Sequence, residues 1–366
     1  MKKITFLLIF MIISFVQAQG DYIHVHTADG SNSVGNVTYI DHPELNGDSN
    51  AGLVATHVYV TGRNNKVTGL WYDSVASRWT IFNEDGSPMI NGSVYNVYIA
   101  REAEVIVHTS NGGNQGSFGP YTTVIDDPNF NGSNPGPYAI FTNYWNPFSI
   151  YNNQNYGFYY DTALDKRAIY QESAVPIPNN ASFKILVSGS GAGVERFTHT
   201  ATAANISADL TVIDHPTLNG NPDATFVLSH FWGVNGPSTQ VDIDKTLGVY
   251  YNGSNWGIYT EDASPFIENT AFDIIIAPNK STLGLGDNQQ GLGLSVYPNP
   301  AQEFTNIEAF KRIEHIEIYN ILGQKVYEVE PTDNRTKVDL SKMASGTYIV
   351  KTIIDNTSNT TKLIKQ

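Results

Sequence analysis

The chain has 366 residues, 21 Lys and Arg against 35 Asp and Glu, and no cysteine. That length admits two to four domains, and the missing cysteines exclude a disulfide framework, a thiolate metal site and a thiol nucleophile. Residues 19–277 hold 9 basic and 25 acidic side chains and residues 278–366 hold 10 of each; so acidic a body disfavours nucleic acid and anionic membrane as ligands.

Residues 1–18 read as a signal peptide. Lys2 and Lys3 precede the apolar run ITFLLIFMIISFV, and VQA at 16–18 sets the cleavage between Ala18 and Gln19. The run is short for a membrane span, no lipobox cysteine follows, and no later segment is long and apolar enough to cross a bilayer. The mature protein is expected to be secreted, extracellular or on the outer cell surface.

A repeat comes next. TYIDHPELNG, TVIDDPNFNG and TVIDHPTLNG begin at Thr38, Thr123 and Thr211, placing Asp41, Asp126 and Asp214 85 and 88 residues apart. HT precedes each phrase, at His26, His108 and His199. THVYV, TNYWN and SHFWG follow, then GLWYD, GFYYD and GVYYN, then WTIFNED, RAIYQES and WGIYTED, then VYNVYI, SFKILV and AFDIII. Three tandem copies therefore occupy 21–101, 104–188 and 194–277.

Short Val-, Ile-, Tyr- and Phe-rich runs between Gly, Asn, Asp and Pro clusters predict about six strands per copy. The fold class is all-β: three ~85-residue antiparallel β-sandwich or barrel repeats, with closure into a propeller-like toroid as the alternative. GVYYNGSNWGIYTED predicts a hairpin with a type I′ turn at Asn252–Gly253. The IDHPTLNG phrase predicts a corner between strands. Asp214 caps its own backbone, Pro216 fixes φ, Leu218 plugs the core and Asn219–Gly220 turns the chain. Trp79 and Trp256 are expected in the core; Arg167, at the same place in the second copy, is expected to open partly to solvent.

No motif specifies chemistry. Asp41 with His42, and Asp214 with His215, resemble metal donors, but Asp127 replaces the histidine in the second copy and carboxylates do not alternate as a calcium loop requires. The remaining histidines, including His57 and His230 (Asn143 in the second copy), are expected to be structural. Glu84, Glu172 and Glu261 recur, but adjacent ED residues at a strand end point apart and make a poor hydrolytic pair. The expectation is no enzyme, no metal site and no cofactor beyond loosely held divalent cation such as calcium. Strand alternation puts Trp71, Tyr159 and Tyr250 on one face and Tyr72, Tyr160 and Tyr251 on the other. One set is core; the first set is the candidate ligand platform.

After Pro278 the polar, Gly-rich stretch to residue 293 reads as a linker. Residues 294–366 then carry LSVYPNP, IEIYNILGQKVYE, VDLSKMASGTYIVKT and a final KLIK, with period-2 alternation and a hairpin turn at Leu322–Lys325. In content and order they resemble the type A C-terminal sorting domain of the type IX secretion system. The resemblance implies a small β-sandwich, a Bacteroidota protein, partnership with the type IX machinery and removal of the domain by a sortase. The body is then released or attached to surface lipopolysaccharide. The repeats are similar to an uncharacterised β-rich module of such proteins. Two functions stand: a binding or adhesion protein for glycan or another surface, or a secreted glycan-acting hydrolase.

Overall fold

The computed structural model describes residues 20–60, 62–133, 136–234, 241–279, 295–309, 312–320, 323–354 and 357–366. The signal peptide with Ala18 and Gln19, most of the linker, and Leu322 lie outside them.

The described residues are all-β. Repeat 1 contains β1 (Tyr22–Thr27), β2 (Ser33–Val34), β3 (Val37–Tyr39), β4 (Gly52–Val58), β5 (Thr68–Asp73), β6 (Arg78–Asn83) and β7 (Val94–Ala100). Repeat 2 contains β8 (Val105–Thr109), β9 (Thr122–Val124), β10 (Ala139–Tyr144), β11 (Tyr156–Asp161), β12 (Lys166–Gln171) and β13 (Ser182–Val187). Repeat 3 contains β14 (Glu195–Thr200), β15 (Ile206–Ser207), β16 (Leu210–Val212), β17 (Phe226–Val234), β18 (Leu247–Tyr251), β19 (Trp256–Thr260) and β20 (Ala271–Ile276).

Within each repeat two half-sheets face each other. One joins the first and last strands to the strand that follows the corner, as in β1-β7-β4, β8-β13-β10 and β14-β20-β17; the other is the central hairpin with its edge strands, as in β2-β3-β6-β5. Alternation sends every second side chain between them. Leu45, Trp79, Ile81 and Val97 fill repeat 1, Phe130, Phe158, Ile169 and Phe183 repeat 2, and Leu218, Trp256, Ile258 and Phe272 repeat 3.

The half-sheets then continue across the repeat boundaries. β5 pairs parallel with β10, β11 with β17, and β18 with β4. Repeat 1 is thus stitched to repeat 2, repeat 2 to repeat 3, and repeat 3 back to repeat 1. Three sheets of seven, seven and six strands result, each shared by two repeats, and none closes into a barrel. The sandwiches are interlocked in a cycle, which joins the main expectation to its alternative.

The cycle has an axis. The backbone N–H of Ala55 donates to Thr142 (2.9 Å), that of Phe141 to Ser229 (3.0 Å) and that of Leu228 to Thr56 (3.2 Å). These hydroxyls are the first letters of THVYV, TNYWN and SHFWG. Val54, Ile140 and Val227 meet beside them in a fully buried hub with Tyr98, Leu186 and Ile275, each side chain stabilising the hub by about 1.5–3 kcal/mol. The ends are fastened too. Ile23 N–H donates to Pro278 O (2.9 Å). Asp21 accepts from the Tyr98 hydroxyl (2.7 Å) and from the amides of Arg101 (2.7 Å), Glu102 (2.8 Å) and Ser190 (2.6 Å).

The opening phrase is a corner, with a different cap from the one expected. Asp41, Asp126 and Asp214 each accept from the side-chain amide five residues on, Asn46, Asn131 and Asn219, at 2.7–2.8 Å. The backbone cap comes from the next residue. His42 and His215 accept from the amide two residues on at 3.2 and 3.3 Å, and Asp127 does so at 2.9 Å. Both residue types offer a local acceptor, which explains why Asp stands for His in the second copy. Leu45, Phe130 and Leu218 are the buried plugs, and Gly47, Gly132 and Gly220 have positive φ.

Two expectations fail for stated reasons. The β18–β19 hairpin closes through Asn252–Asn255 with positive φ only at Gly253, so its turn is not type I′; the Asn252 side chain caps it by accepting from the amides of Ser254 and Asn255 (3.0 and 2.9 Å). Arg167 is not open to solvent. It is 1% exposed, sandwiched between Phe158 and Phe231, and ion-paired at 2.6 Å with Asp273 of repeat 3. The equivalent contact between repeats 1 and 2 puts buried Lys184 over Trp79 (4.5 Å), and burial pushes its amine down to about 8.

Residues 295–366 fold separately into β21 (Ser295–Tyr297), β22 (Phe304–Glu308), β23 (His315–Asn320), β24 (Lys325–Val329), β25 (Arg335–Asp339), β26 (Gly346–Ile354) and β27 (Thr357–Lys365). A three-stranded and a four-stranded sheet share a core of Ile307, Ile316, Ile318, Val338, Val350 and Leu363.

Candidate functional site

The parallel joints between repeats bring together the residues with most chemical potential. On one face of each joint a glutamate at the end of a repeat's hairpin turns inward toward the next repeat's central strand. At the joint of repeats 2 and 3, His230 Nδ1 donates to Glu172 Oε1 at 2.6 Å. Glu172 Oε2 accepts from the Tyr170 hydroxyl and from the Ile243 amide, both at 2.9 Å. At the joint of repeats 3 and 1, His57 Nδ1 contacts Glu261 Oε1, which also accepts from the Tyr259 hydroxyl at 2.6 Å.

The joint of repeats 1 and 2 departs from this pattern. Asn143 stands for the histidine and Phe82 for the tyrosine. Glu84 accepts from the Asn152 amide at 2.8 Å. Burial pushes its carboxyl up to about 7, against the opposing pull of the Asn152 amide and the Asn143 side chain.

All three glutamates are at most 5% exposed. The following residues do point away: Asp85 pairs with Lys66 and Asp262 with Lys245. The invariant glycine of GLWYD, GFYYD and GVYYN makes room for the carboxylate. A Cβ on Gly157 would lie 2.8 Å from Glu172 Oε1 and 2.9 Å from His230 Nδ1, and one on Gly69 or Gly248 would lie 2.5 Å from Glu84 or Glu261.

A carboxylate at Nδ1 holds a proton on that nitrogen and so fixes the orientation of the ring. In His57 and His230, both buried, Nε2 has no partner. Both imidazoles line a cavity of about 150 Å³ to which all three repeats contribute. A wider groove of about 640 Å³ runs past Glu102, Glu104 and Asn129 and contains no imidazole.

The HT histidines are structural. His26, His108 and His199 each hydrogen-bond a threonine of their own repeat at 2.8 Å (Thr38, Thr123 and Thr211). Burial pushes His26 down to about 3 and the other two to about 4.

Further out along the same joints lie aromatic clusters, and here the candidate platform residues are found. Trp145 packs on Phe82 (5.7 Å) and Tyr151 (4.4 Å) beside half-buried Trp71. Trp232 packs on Tyr159 (6.2 Å), Tyr170 (5.9 Å) and Phe118 (5.9 Å). Tyr59 packs on Tyr250 (5.3 Å) and Tyr259 (5.7 Å), with the Arg63 guanidinium over the last. Trp71 and Tyr250 are half-buried and Tyr159 is 1% exposed. The three equivalent rings thus sit at three separate joints rather than on one platform. Tyr72, Tyr160 and Tyr251 take the opposite face, as alternation requires.

The strongest sequence signal for these joints is the paired change between aligned copies: His with Tyr twice, Asn with Phe once. Among the described residues, the one cluster of three potential metal donors is His315, Glu317 and Glu328 in the sorting domain, where Lys325 already contacts both carboxylates.

Residues 5–68, 69–163 and 157–276 each match the family described as Domain of unknown function (DUF7452), and residues 295–366 match the Secretion system C-terminal sorting domain. No curated protein matches the chain. Among solved structures, that of PorZ, a bacterial surface component of the type IX secretion system of Porphyromonas gingivalis, is 17% identical over 33% of this chain, with a TM-score of 0.19. The likeness spans only 16% of that protein's chain. Among the described residues no helix is long and apolar enough to cross a membrane.

Proposed function

The chain belongs to the family Domain of unknown function (DUF7452), whose module it carries three times, and from that premise we propose that it is a non-catalytic binding or adhesion protein for glycan or another surface. Its sorting domain makes it cargo of the type IX secretion machinery, exported to the extracellular space or the cell surface.

The observation that carries the binding reading is the aromatic surface at the joint of repeats 1 and 2. Trp71 and Trp145 are half-buried there, and the following loop adds Phe148 and Tyr151, 49% and 54% exposed. Amphipathic rings held rigidly by a sheet offer apolar faces for stacking at little entropic cost. The reading needs no cofactor; calcium attracted to the acidic body is at most loosely held. The buried His–Glu pairs are taken as clasps between repeats rather than as acid–base groups.

A glycan array tests this. The full chain is expected to retain particular glycans without releasing reducing ends, and the double change Trp145→Ala with Tyr151→Ala is expected to weaken retention about tenfold or more. Reducing ends released from any polysaccharide would move the assignment to the hydrolase. We extend the proposal to processing: a sortase removes residues 294–366, leaving the body released or on lipopolysaccharide. Surface material whose peptides still include Gln366 would count against that step.

A further inference from the structure

We propose that the cavity between the three repeats is a second binding site, for one neutral, hydroxyl-rich ring the size of a single monosaccharide unit. It is separate from the aromatic surface and does not rest on that reading.

The cavity exists only in the closed cycle. Repeat 1 supplies His57 and Thr68, repeat 2 Phe141 and Asn155, and repeat 3 His230 and Thr246. Its volume of about 150 Å³ is half or less of the roughly 300–1,000 Å³ of pockets that bury a drug-sized ligand, which suits a single ring.

The chemistry of the walls selects the ligand. His57 and His230 are 6% and 3% exposed, and in each the nitrogen away from the glutamate lacks a partner. A buried ring nitrogen without a partner is unfavourable, and a ligand hydroxyl, which can donate or accept, supplies one. The threonine hydroxyls and the Asn155 amide add groups that both donate and accept. Phe141 adds an apolar face, the usual complement to such groups in sugar-sized pockets.

Charge argues against an ion. Lys66 and Lys245 also line the cavity, but each is neutralised by its own aspartate, at 2.9 and 2.7 Å. The glutamates already accept from imidazole, hydroxyl and amide groups. Among the described residues no three potential donors here lie close enough to hold a metal. What remains is a hydrogen-bonding site with no free cationic side chain. It offers two unpartnered imidazole nitrogens, those of His57 and His230.

The test is a titration of the full chain with D-glucose, D-galactose, D-mannose and N-acetyl-D-glucosamine, followed by long-range imidazole ¹⁵N correlations. At least one sugar is expected to bind saturably, with Kd on the order of 1 mM, moving the His57 and His230 resonances and leaving those of His26, His108 and His199 in place. Thr246→Phe narrows the cavity and changes no side chain of either His–Glu pair; the Thr246 carbonyl, which accepts from the Glu261 amide at 2.9 Å, is kept. It is expected to weaken binding about tenfold while its melting curve stays that of the parent. The aromatic double variant is expected to bind the monosaccharide normally, which separates failure of this site from failure of the other. No saturable shift with any of the four sugars would overturn the proposal. So would a shift that survives Thr246→Phe, or one produced by zinc chloride and by no sugar.

Discussion

The three joints are built on one plan, and the first differs from the other two in two residues that act together. At the second and third joints a carboxylate meets an imidazole and a phenol. At the first it meets an amide and a phenyl ring. Imidazole can share a proton with a buried glutamate, so the carboxylate keeps a compensating partner. An amide cannot, and the Glu84 carboxyl is held protonated up to about pH 7. Losing the histidine also removes the need for a tyrosine to orient the pair. The same loss accompanies the most exposed aromatic surface, since the loop carrying Trp145, Phe148 and Tyr151 replaces the corresponding loops of the other repeats. A repeated fold can therefore free one joint for contact with a ligand while the others remain clasps.

The strongest way to break this comparison is to remove the joints altogether. Residues 194–277 alone leave β17 and β18 without the neighbouring strands β11 and β4 and expose their share of the axial hub. That segment is expected to give no cooperative unfolding transition, whereas residues 20–279 unfold in one step. A cooperative β-type melt of the isolated segment would mean that the parallel joints are incidental.

Next in size is the cost of breaking a clasp. Glu172→Ala leaves His230 and Tyr170 buried without their acceptor, and is expected to cost about 3–5 kcal/mol. Asn143→Ala removes only a neutral partner, and is expected to cost about 1–3 kcal/mol. Chemical denaturation of both in the same chain checks the order. Equal losses would show that the imidazole pairs are no stronger than the amide.

These contacts mark where the sequence stops being readable. The corner phrase, the hairpins and the plugs at Leu45, Phe130 and Leu218 depend on neighbours within a few residues, and their positions were legible. The all-β class and the sorting domain were legible for similar reasons of period and motif order. Sheet sharing was not, because a strand that pairs within its repeat and one that pairs with the next copy carry the same alternation. Arg167 was misplaced because its partner Asp273 lies 106 residues away, and His57 finds Glu261 across 204 residues. The platform at Trp71, Tyr159 and Tyr250 failed as one surface because identical strand positions are carried to different joints by the cycle.

The pH dependence distinguishes the joints more gently. An acid whose pKa is raised on folding binds its proton more tightly in the folded state. Stability therefore falls as pH rises, from the unfolded value of 4.5 through the folded value of about 7. The fall should total about 3 kcal/mol across that window. Glu84→Gln keeps a neutral side chain at the joint and should remove the fall, so that the variant is the more stable protein at pH 8 and close to the parent at pH 4.5. Melting curves of both proteins across the window decide it. A parent curve whose slope is unchanged by Glu84→Gln would place the titration elsewhere.

The smallest effect belongs to the corner, where the three copies share the Asp–Asn contact. Asp214 is exposed and holds the Asn219 side-chain amide at 2.7 Å, while the Asn219 oxygen accepts from the His215 amide at 3.2 Å. Asp214→Ala frees one exposed acceptor and loosens that loop, and is expected to cost about 0.5–1.5 kcal/mol. Asp126→Ala should cost at least as much, because Asp126 holds Asn131 as Asp214 holds Asn219 and also pairs with Lys166 at 2.8 Å. Neither change reaches a joint, so neither should alter the pH slope assigned to Glu84. Calcium and zinc provide the control. If metal raises the melting temperature of the parent by several degrees and leaves Asp214→Ala unmoved, the corner is a cation site, and its three copies form a second layer of joints on the outside of the cycle.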